Sequence, residues 1–124
     1  MKPFAIALGL FVLAVPATAA TLTPASAARH VGETAIVEGV VADVHAASNG
    51  MFLLDLGGQY PNNKFMAVIF PRNIAAFGNV GGYVGNRVQI SGPIQFYHGK
   101  PSIMLINEGQ IQVITAARNQ KLAT

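Results

Sequence analysis

Five segments of this chain are rich in apolar and β-branched side chains, and runs of glycine, proline, asparagine and serine separate them. Such segments are typical of β-strands that end at turns. The pattern predicts strands at residues 34–45, 51–56, 64–70, 87–97 and 100–106, with a short sixth strand at residues 110–114. The Asn49-Gly50 pair between the first two strands is a strong hairpin signal.

Two other segments predict short helices. Residues 23–30 begin with Thr23-Pro24, which is typical of a helix cap followed by proline in the first turn. Residues 71–77 carry Ile74 and Phe77 at a helical spacing, enough for about two turns with one apolar face. The second helix would lie between the third and fourth strands.

Glycines inside two of the strands predict local irregularity. A Val-Gly turn followed seven residues later by a second glycine occurs twice, ending at Gly39 and at Gly92. Such a glycine indicates a bend or bulge, which strands need in order to close a small barrel. Val37 before Gly39 and Val40 after it predict that the inward face of the first strand changes at this glycine.

Pro93 predicts an edge or bulge in the fourth strand. The apolar residues of that strand expected on one face are Val88, Ile90, Ile94 and Phe96.

The order of these elements predicts an all-β fold. Three strands, a short helix and two further strands are the order of a five-stranded OB-fold, a Greek-key barrel. The short helix lies between strands 3 and 4, and a short N-terminal helix precedes the barrel. A single sandwich sheet is the alternative architecture. The barrel is favoured because a long first strand with an internal glycine can serve both halves of a barrel.

The first 20 residues predict a secretory signal peptide. Lys2 precedes an uncharged run at residues 4–15, and small residues follow as far as Ala20. Cleavage is expected near Ala20, and Ala27 is a second possible cleavage site. The run is too short for a membrane span, which needs about 20 apolar residues. The protein is therefore expected to be exported, either periplasmic or secreted. The expected organisation is a signal peptide at residues 1–20, an OB-fold domain at residues 21–115 and a polar tail at residues 116–124.

The amino-acid composition limits which reactions, metal sites and ligands are possible for this chain. The absence of cysteine excludes disulfides, thiol catalysis and thiolate metal sites. The net charge is +3, and it falls to +2 when Lys2 leaves with the signal peptide. A charge of this size is compatible with a polyanionic ligand but does not require one.

No metal site or catalytic group is predicted. His30, His45 and His98 share no short ligand spacing, although Asp43 and His45 lie on one strand face. That pair could bind a cation weakly, but dedicated sites need three or four ligands, so no metal is expected. No serine has the Gly-x-Ser-x-Gly setting, and no paired carboxylates stand out. The chain is therefore expected not to be an enzyme and to need no cofactor.

Several motifs together resemble a known family. They are Val31-Gly-Glu-Thr, Phe52-Leu-Leu-Asp-Leu-Gly with Tyr60-Pro-Asn, and Tyr97-x-Gly-Lys-Pro. Across residues 29–114 the chain resembles a family of small exported bacterial OB-fold domains, often described as nucleic-acid-binding and sometimes found beside nuclease domains. The motifs are turn glycines and core positions. The resemblance therefore implies the fold and carries no binding residue across.

The candidate binding residues follow from how OB-folds bind single strands. They use the face of strands 2 and 3, with aromatic side chains for stacking and Lys or Arg for phosphates. The predicted nucleic-acid-binding residues are Tyr60, Lys64, Arg87, Tyr97 and Lys100, with the tyrosines stacking and the basic residues contacting phosphate. Phe52, Phe65 and Phe70 lie nearby but are expected in the core. The expected ligand is a single-stranded nucleic acid. The alternative is an envelope protein-interaction or small-ligand module with no nucleic-acid role, which the low net charge favours.

Overall fold

Eight strands form one mixed β-sheet in the computed structural model, which describes residues 21–114. The strands are β1 (Thr21–Leu22), β2 (Thr34–Ala46), β3 (Phe52–Leu56), β4 (Phe65–Ile69), β5 (Arg87–Pro93), β6 (Gln95–Tyr97), β7 (Lys100–Met104) and β8 (Ile111–Val113). The predicted all-β fold is confirmed. The predicted signal peptide and the tail at residues 116–124 lie outside the described residues.

The sheet runs in the order β6-β7-β4-β3-β2-β5-β8, and β1 pairs with β2 in parallel. β4 and β7 are also parallel, whereas the other pairs are antiparallel. β6 and β8 are the two ends of this path, so the hydrogen-bonded ladder does not close on itself.

Short 3₁₀ helices connect the strands. In the described part of the chain they span Ala25–His30, Pro71–Phe77, Val80–Tyr83 and Glu108–Gln110. The first two lie where helices were predicted, and proline begins the second as its fixed φ favours. The helix Val80–Tyr83 was not predicted, because it contains two consecutive glycines, which disfavour helix.

The inward face of β2 changes later than predicted. Its ladder with β5 is regular from Thr34 to Val40, and the register with β3 shifts between Val41 and Asp43. The prediction of a face change at Gly39 is therefore wrong. Gly39 instead makes room for Pro24, since a Cβ at position 39 would lie 2.8 Å from the proline Cγ.

The predicted fourth strand is divided at Ile94 into β5 and β6. The backbone N–H of Ile94 donates to the Glu33 carbonyl, and its own carbonyl accepts from Gly32, so this residue leaves the β5 ladder. The chain turns there, and Phe96 is 61% exposed although Ile94 is buried. The prediction that Phe96 shares the buried face of this strand is therefore wrong.

The core lies on one face of the central strands, and a smaller cluster lies on the other face. The largest buried side chains of the core include Leu54, Leu56, Phe65, Ile69, Ile90, Ile94 and Ile103. On the opposite face, Met51, Met66 and Val68 form a second buried cluster. β4 is therefore buried on both faces, as its run of apolar residues requires.

The three predicted core phenylalanines all pack against these clusters. Phe65 is fully buried, Phe52 packs partly buried against the main core, and Phe70 packs against the smaller cluster. Across residues 21–114, no helix has the length and apolar character needed to cross a membrane.

Candidate functional site

A cavity of about 490 Å³ opens on the sheet face opposite the main core. We call it the outer-face cavity. Three turns surround it: the β2–β3 turn with Ser48, the β3–β4 loop with Tyr60, and the β6–β7 turn with His98. Residues distant in sequence therefore meet at one concave surface, which is the usual shape of a ligand site.

The floor of the cavity is apolar because of the strand register. Met51, Leu53 and Met66 line it, and all three belong to or pack against the smaller buried cluster. A cross-strand row on this face runs from Asp43 through Asp55 and Met66 to Ser102. The buried polar residues Asp55 and Ser102 therefore flank Met66 beneath the cavity.

Two tyrosines form part of the wall. Tyr60 is 63% exposed, and its ring centroid lies 5.9 Å from that of His45. Tyr97 is half-buried, donates its hydroxyl to Sδ of Met51 at 3.3 Å, and contacts the His98 ring edge to face at 4.3 Å. Tyr60 thus offers a free ring face, whereas Tyr97 is held in place by its neighbours.

Lys100 anchors the loop that carries Tyr60. Its Nζ donates to the carbonyl oxygens of Pro61 at 2.7 Å and Asn63 at 2.8 Å. Among the described residues, no carboxylate oxygen lies within ion-pair distance of this ammonium. Lys100 therefore holds the cavity wall together while its positive charge remains without an acidic partner.

A buried carboxylate lies behind the wall. Asp55 is fully buried, its Oδ1 accepts from Asn63 Nδ2 at 3.0 Å, and its Oδ2 lies 3.2 Å from His45 Nε2. Within the described residues, His45 Nε2, Asp55 Oδ2 and Asn63 Oδ1 have no partner that meets hydrogen-bond geometry. The contact between His45 and Asp55 is therefore an electrostatic pair rather than a well-directed hydrogen bond.

Burial raises the pKa of Asp55 above its ordinary value, since desolvation penalises the carboxylate. The charge of His45 opposes this rise in the pKa, the charge of Asp43 adds to it, and a hydrogen bond from the Tyr60 backbone opposes it. The net effect favours the protonated acid more than in an exposed aspartate.

The predicted binding residues divide into two groups. Tyr60, Tyr97 and Lys100 line the outer-face cavity, whereas Lys64 and Arg87 do not. Lys64 is exposed and directly follows the loop that carries Tyr60. Arg87 lies on β5, where its Nη1 is 3.6 Å from Glu38 Oε2. The structure thus brings three of the five residues together and places Arg87 in a separate ion pair.

The sequence-based prediction assigned no binding role to His45, His98 or Met51, although all three line the cavity. In the described residues, no three His, Asp, Glu or Cys side chains are grouped to hold a metal ion. The partner of His45 is Asp55 rather than Asp43, which only the β2–β3 register could show.

Comparisons with solved structures show a likeness in fold. No family model matches the chain, and no curated protein sequence matches it. Among solved structures, the chain is similar to a protein from Leishmania major Friedlin described as an aspartyl-tRNA synthetase, with a TM-score of 0.53 and 9% identity. The match covers 82% of this chain but 22% of that protein. At this identity, the likeness concerns the fold alone.

Proposed function

We propose that the chain is an exported binding protein with an OB-type domain, and that it binds single-stranded nucleic acid at the outer-face cavity. No residue is assigned a catalytic role. The observation that carries the proposal is the meeting of Tyr60, Tyr97 and Lys100 around one cavity, although 40 residues separate the first from the last in sequence.

The strand connections support an OB-type barrel. β2 pairs with both β3 and β5, and β4 pairs in parallel with β7. β5 and β6 are joined through Ile94, yet β5 pairs with β2 and β6 pairs with β7. One kinked strand therefore links the two sides of the sheet, as the fourth strand of a small barrel would.

The position of the cavity agrees with this architecture. The cavity lies over β3 and β4, which correspond to strands 2 and 3 of an OB-fold. It also lies beside the β2–β3 and β6–β7 turns, which correspond to the loops after OB-fold strands 1 and 4. This strand face and these two loops are where OB-folds bind their ligands. The structural neighbour is, by its description, an enzyme acting on tRNA, which supports a nucleic-acid ligand only through the shared fold.

Each side chain has a distinct role in this proposal. The exposed Tyr60 ring stacks on a base, and Tyr97 forms another part of the wall. Lys100 and Lys64 contribute positive charge for phosphates. Arg87, paired with Glu38, belongs to another surface and contributes little.

Fluorescence anisotropy of the purified protein with labelled single-stranded and duplex DNA of about ten nucleotides tests the proposal. We expect saturable single-strand binding that persists near physiological salt. Tyr60→Ala should weaken it by about 1–3 kcal/mol, since base stacking contributes this much. Phe96→Ala is the matched control, because Phe96 is equally exposed but does not line the cavity. Absence of binding at low salt, or equal effects of the two variants, would overturn the proposal.

A second candidate function is the binding of a small molecule. The volume of about 490 Å³ and the apolar floor formed by Met51, Leu53 and Met66 favour it, since pockets of this kind enclose one small ligand. A small-ligand protein would show no affinity for oligonucleotides. Its Tyr60→Ala variant would lose binding of the small molecule alone.

A further inference from the structure

We infer that the outer-face cavity takes one nucleoside monophosphate, with its base on the apolar floor and its phosphate at Lys100 and His98. This inference rests on the proposed function and names the ligand chemistry of the same site. The nucleotide has two sources, either a free mononucleotide or the phosphorylated end of a strand.

The size of the cavity favours a single nucleotide. OB-folds that bind strands without sequence preference contact about 4–16 nucleotides along a groove. A cavity of about 490 Å³ lies in the range that encloses one small molecule, and three turns border it. It is therefore suited to enclose one unit of a strand rather than a run of several.

The floor and walls of the cavity suit a planar base. The half-buried Leu53 gives the floor accessible apolar surface beside the buried Met51 and Met66. Tyr60 supplies an exposed ring at the rim, and Tyr97 is held against Met51 by its hydroxyl. A base inserted here would contact apolar surface below and an aromatic ring at the side.

The charges on the wall favour an anion. The titratable groups lining the cavity are His45, Tyr60, Tyr97, His98 and Lys100, and no carboxylate is among them. Asp55 lies behind the wall, fully buried and paired with His45, so it does not contact the ligand. The residues that line the cavity are therefore basic, although two acids, Asp43 and Asp55, lie in the strand row beneath it.

Lys100 is already positioned for this role. Two of its three N–H donors bind the carbonyls of Pro61 and Asn63, which leaves one donor and the full charge for an anionic group. A lysine fixed by its neighbours loses less conformational freedom when it binds an anion than a free one does. His98, exposed at the neighbouring turn with φ of 52°, adds a second group near the same rim.

Isothermal titration of the purified protein with adenosine 5′-monophosphate, adenosine and inorganic phosphate tests the inference. We expect the monophosphate to bind about tenfold or more tightly than adenosine, as a charge-assisted hydrogen bond to phosphate implies. Inorganic phosphate should bind more weakly than the monophosphate, because it lacks the base. Equal affinity for adenosine and its monophosphate would overturn the inference.

Two variants locate the phosphate. His98→Asn keeps the left-handed turn conformation that asparagine tolerates, and it should reduce affinity for the monophosphate but not for adenosine. Lys100→Met should have the larger effect, with thermal unfolding used to check that its loop remains folded. Arg29→Met, at an exposed arginine outside the cavity, is the control for loss of one positive charge. Equal losses in Arg29→Met and Lys100→Met, or no loss in His98→Asn, would contradict the assignment.

Anisotropy with DNA strands bearing a 5′-hydroxyl, a 5′-phosphate or a 3′-phosphate distinguishes the two sources. A preference for one phosphorylated end supports strand-end recognition, whereas binding of the free nucleotide with no end preference supports a mononucleotide ligand. Strands that bind equally with or without a terminal phosphate, together with no monophosphate binding, would overturn this inference and leave the proposed function intact. Absence of binding to every probe would overturn both.

Discussion

The Nε2 atom of His45 lies 3.2 Å from Oδ2 of Asp55, a carboxylate with no exposed surface. The same aspartate accepts a hydrogen bond from Asn63, whose backbone carbonyl accepts from Lys100. These contacts connect β2, β3, β7 and the β3–β4 loop. The loop that presents Tyr60 is therefore held from behind by a buried polar group, and its position depends on that group.

Asp55→Asn should change how stability depends on pH. Burial raises the pKa of Asp55 in the folded state, so the folded protein binds this proton more tightly than the unfolded chain does. The free energy of unfolding of the wild type therefore falls as the pH rises from about 3.9, the ordinary pKa of aspartate, through the raised pKa of the folded state. The total loss is about 1.4 kcal/mol for each pH unit by which folding raises the pKa. The asparagine variant lacks this titration and should gain stability relative to wild type over the same interval.

Urea unfolding of both proteins at several pH values between about pH 4 and about pH 6 measures this difference. The difference in the free energy of unfolding should move in favour of the variant as pH rises. A constant difference across the interval would show that the carboxyl group is not held in its protonated form by burial.

Lys64→Ala and Arg87→Ala should differ in their effect on nucleic-acid binding. Lys64 is exposed and follows the loop that carries Tyr60, whereas Arg87 is paired with Glu38 on β5. We expect Lys64→Ala to reduce the slope of log affinity against log salt by about 1, with little effect of Arg87→Ala. Anisotropy titrations at several salt concentrations measure the slopes. The reverse order would place the phosphate contacts on the β2–β5 side of the sheet.

Gly92→Ala should destabilise the domain. Gly92 has φ of 151°, and a Cβ there would lie 2.8 Å from Cγ2 of Ile103 and 3.1 Å from Nε2 of Gln110. Overpacking of this kind costs about 1–3 kcal/mol. Gly81→Ala is the control, since its nearest neighbouring atom would lie at 3.6 Å. Denaturant unfolding that ranks the two variants equally would contradict this packing argument.

Gln110→Glu should also destabilise the fold, because the Gln110 amide joins three parts of the chain. Its Oε1 accepts from the N–H groups of Ile106 and Asn107, and its Nε2 donates to the carbonyls of Ser91 and Met104. Glutamate would lose both donated bonds and place a carboxylate against two carbonyl oxygens.

We expect Gln110→Glu to lower the free energy of unfolding by about 2 kcal/mol or more. The same substitution at Gln112, which is exposed on β8, should stay within about 0.5 kcal/mol of wild type. Thermal or urea unfolding of the two variants provides the comparison. Equal effects would show that the amide network contributes nothing specific.

Local sequence signals predicted most of the elements, because strand and turn preferences depend on neighbouring residues. Asn49-Gly50 marks the β2–β3 turn, where Gly50 has φ of 89°, and the apolar run Phe65–Ile69 marks β4. The helix Pro71–Phe77 likewise follows from proline at its start and apolar residues at a helical spacing. These elements depend on neighbouring residues, so they could be predicted without knowing how the strands pair.

The cross-strand register, by contrast, was decided by the tertiary structure. The face change in β2 lies between Val41 and Asp43 because β3 pairs with a shifted register there, and the glycine at position 39 gave a wrong position for it. The outward turn of Phe96 depends in the same way on the break at Ile94.

The sequence by itself determined which residue types are available for binding, and the tertiary structure decided which of them meet. Tyr60, Tyr97 and Lys100 were identifiable from residue type and local setting, but their convergence depends on the pairing of β7 with β4 and β6. The burial of Asp55 beside His45 and the separation of Arg87 from the cavity depend on contacts between distant segments. Such contacts arise from packing and register across the sheet, which no local pattern of residues specifies.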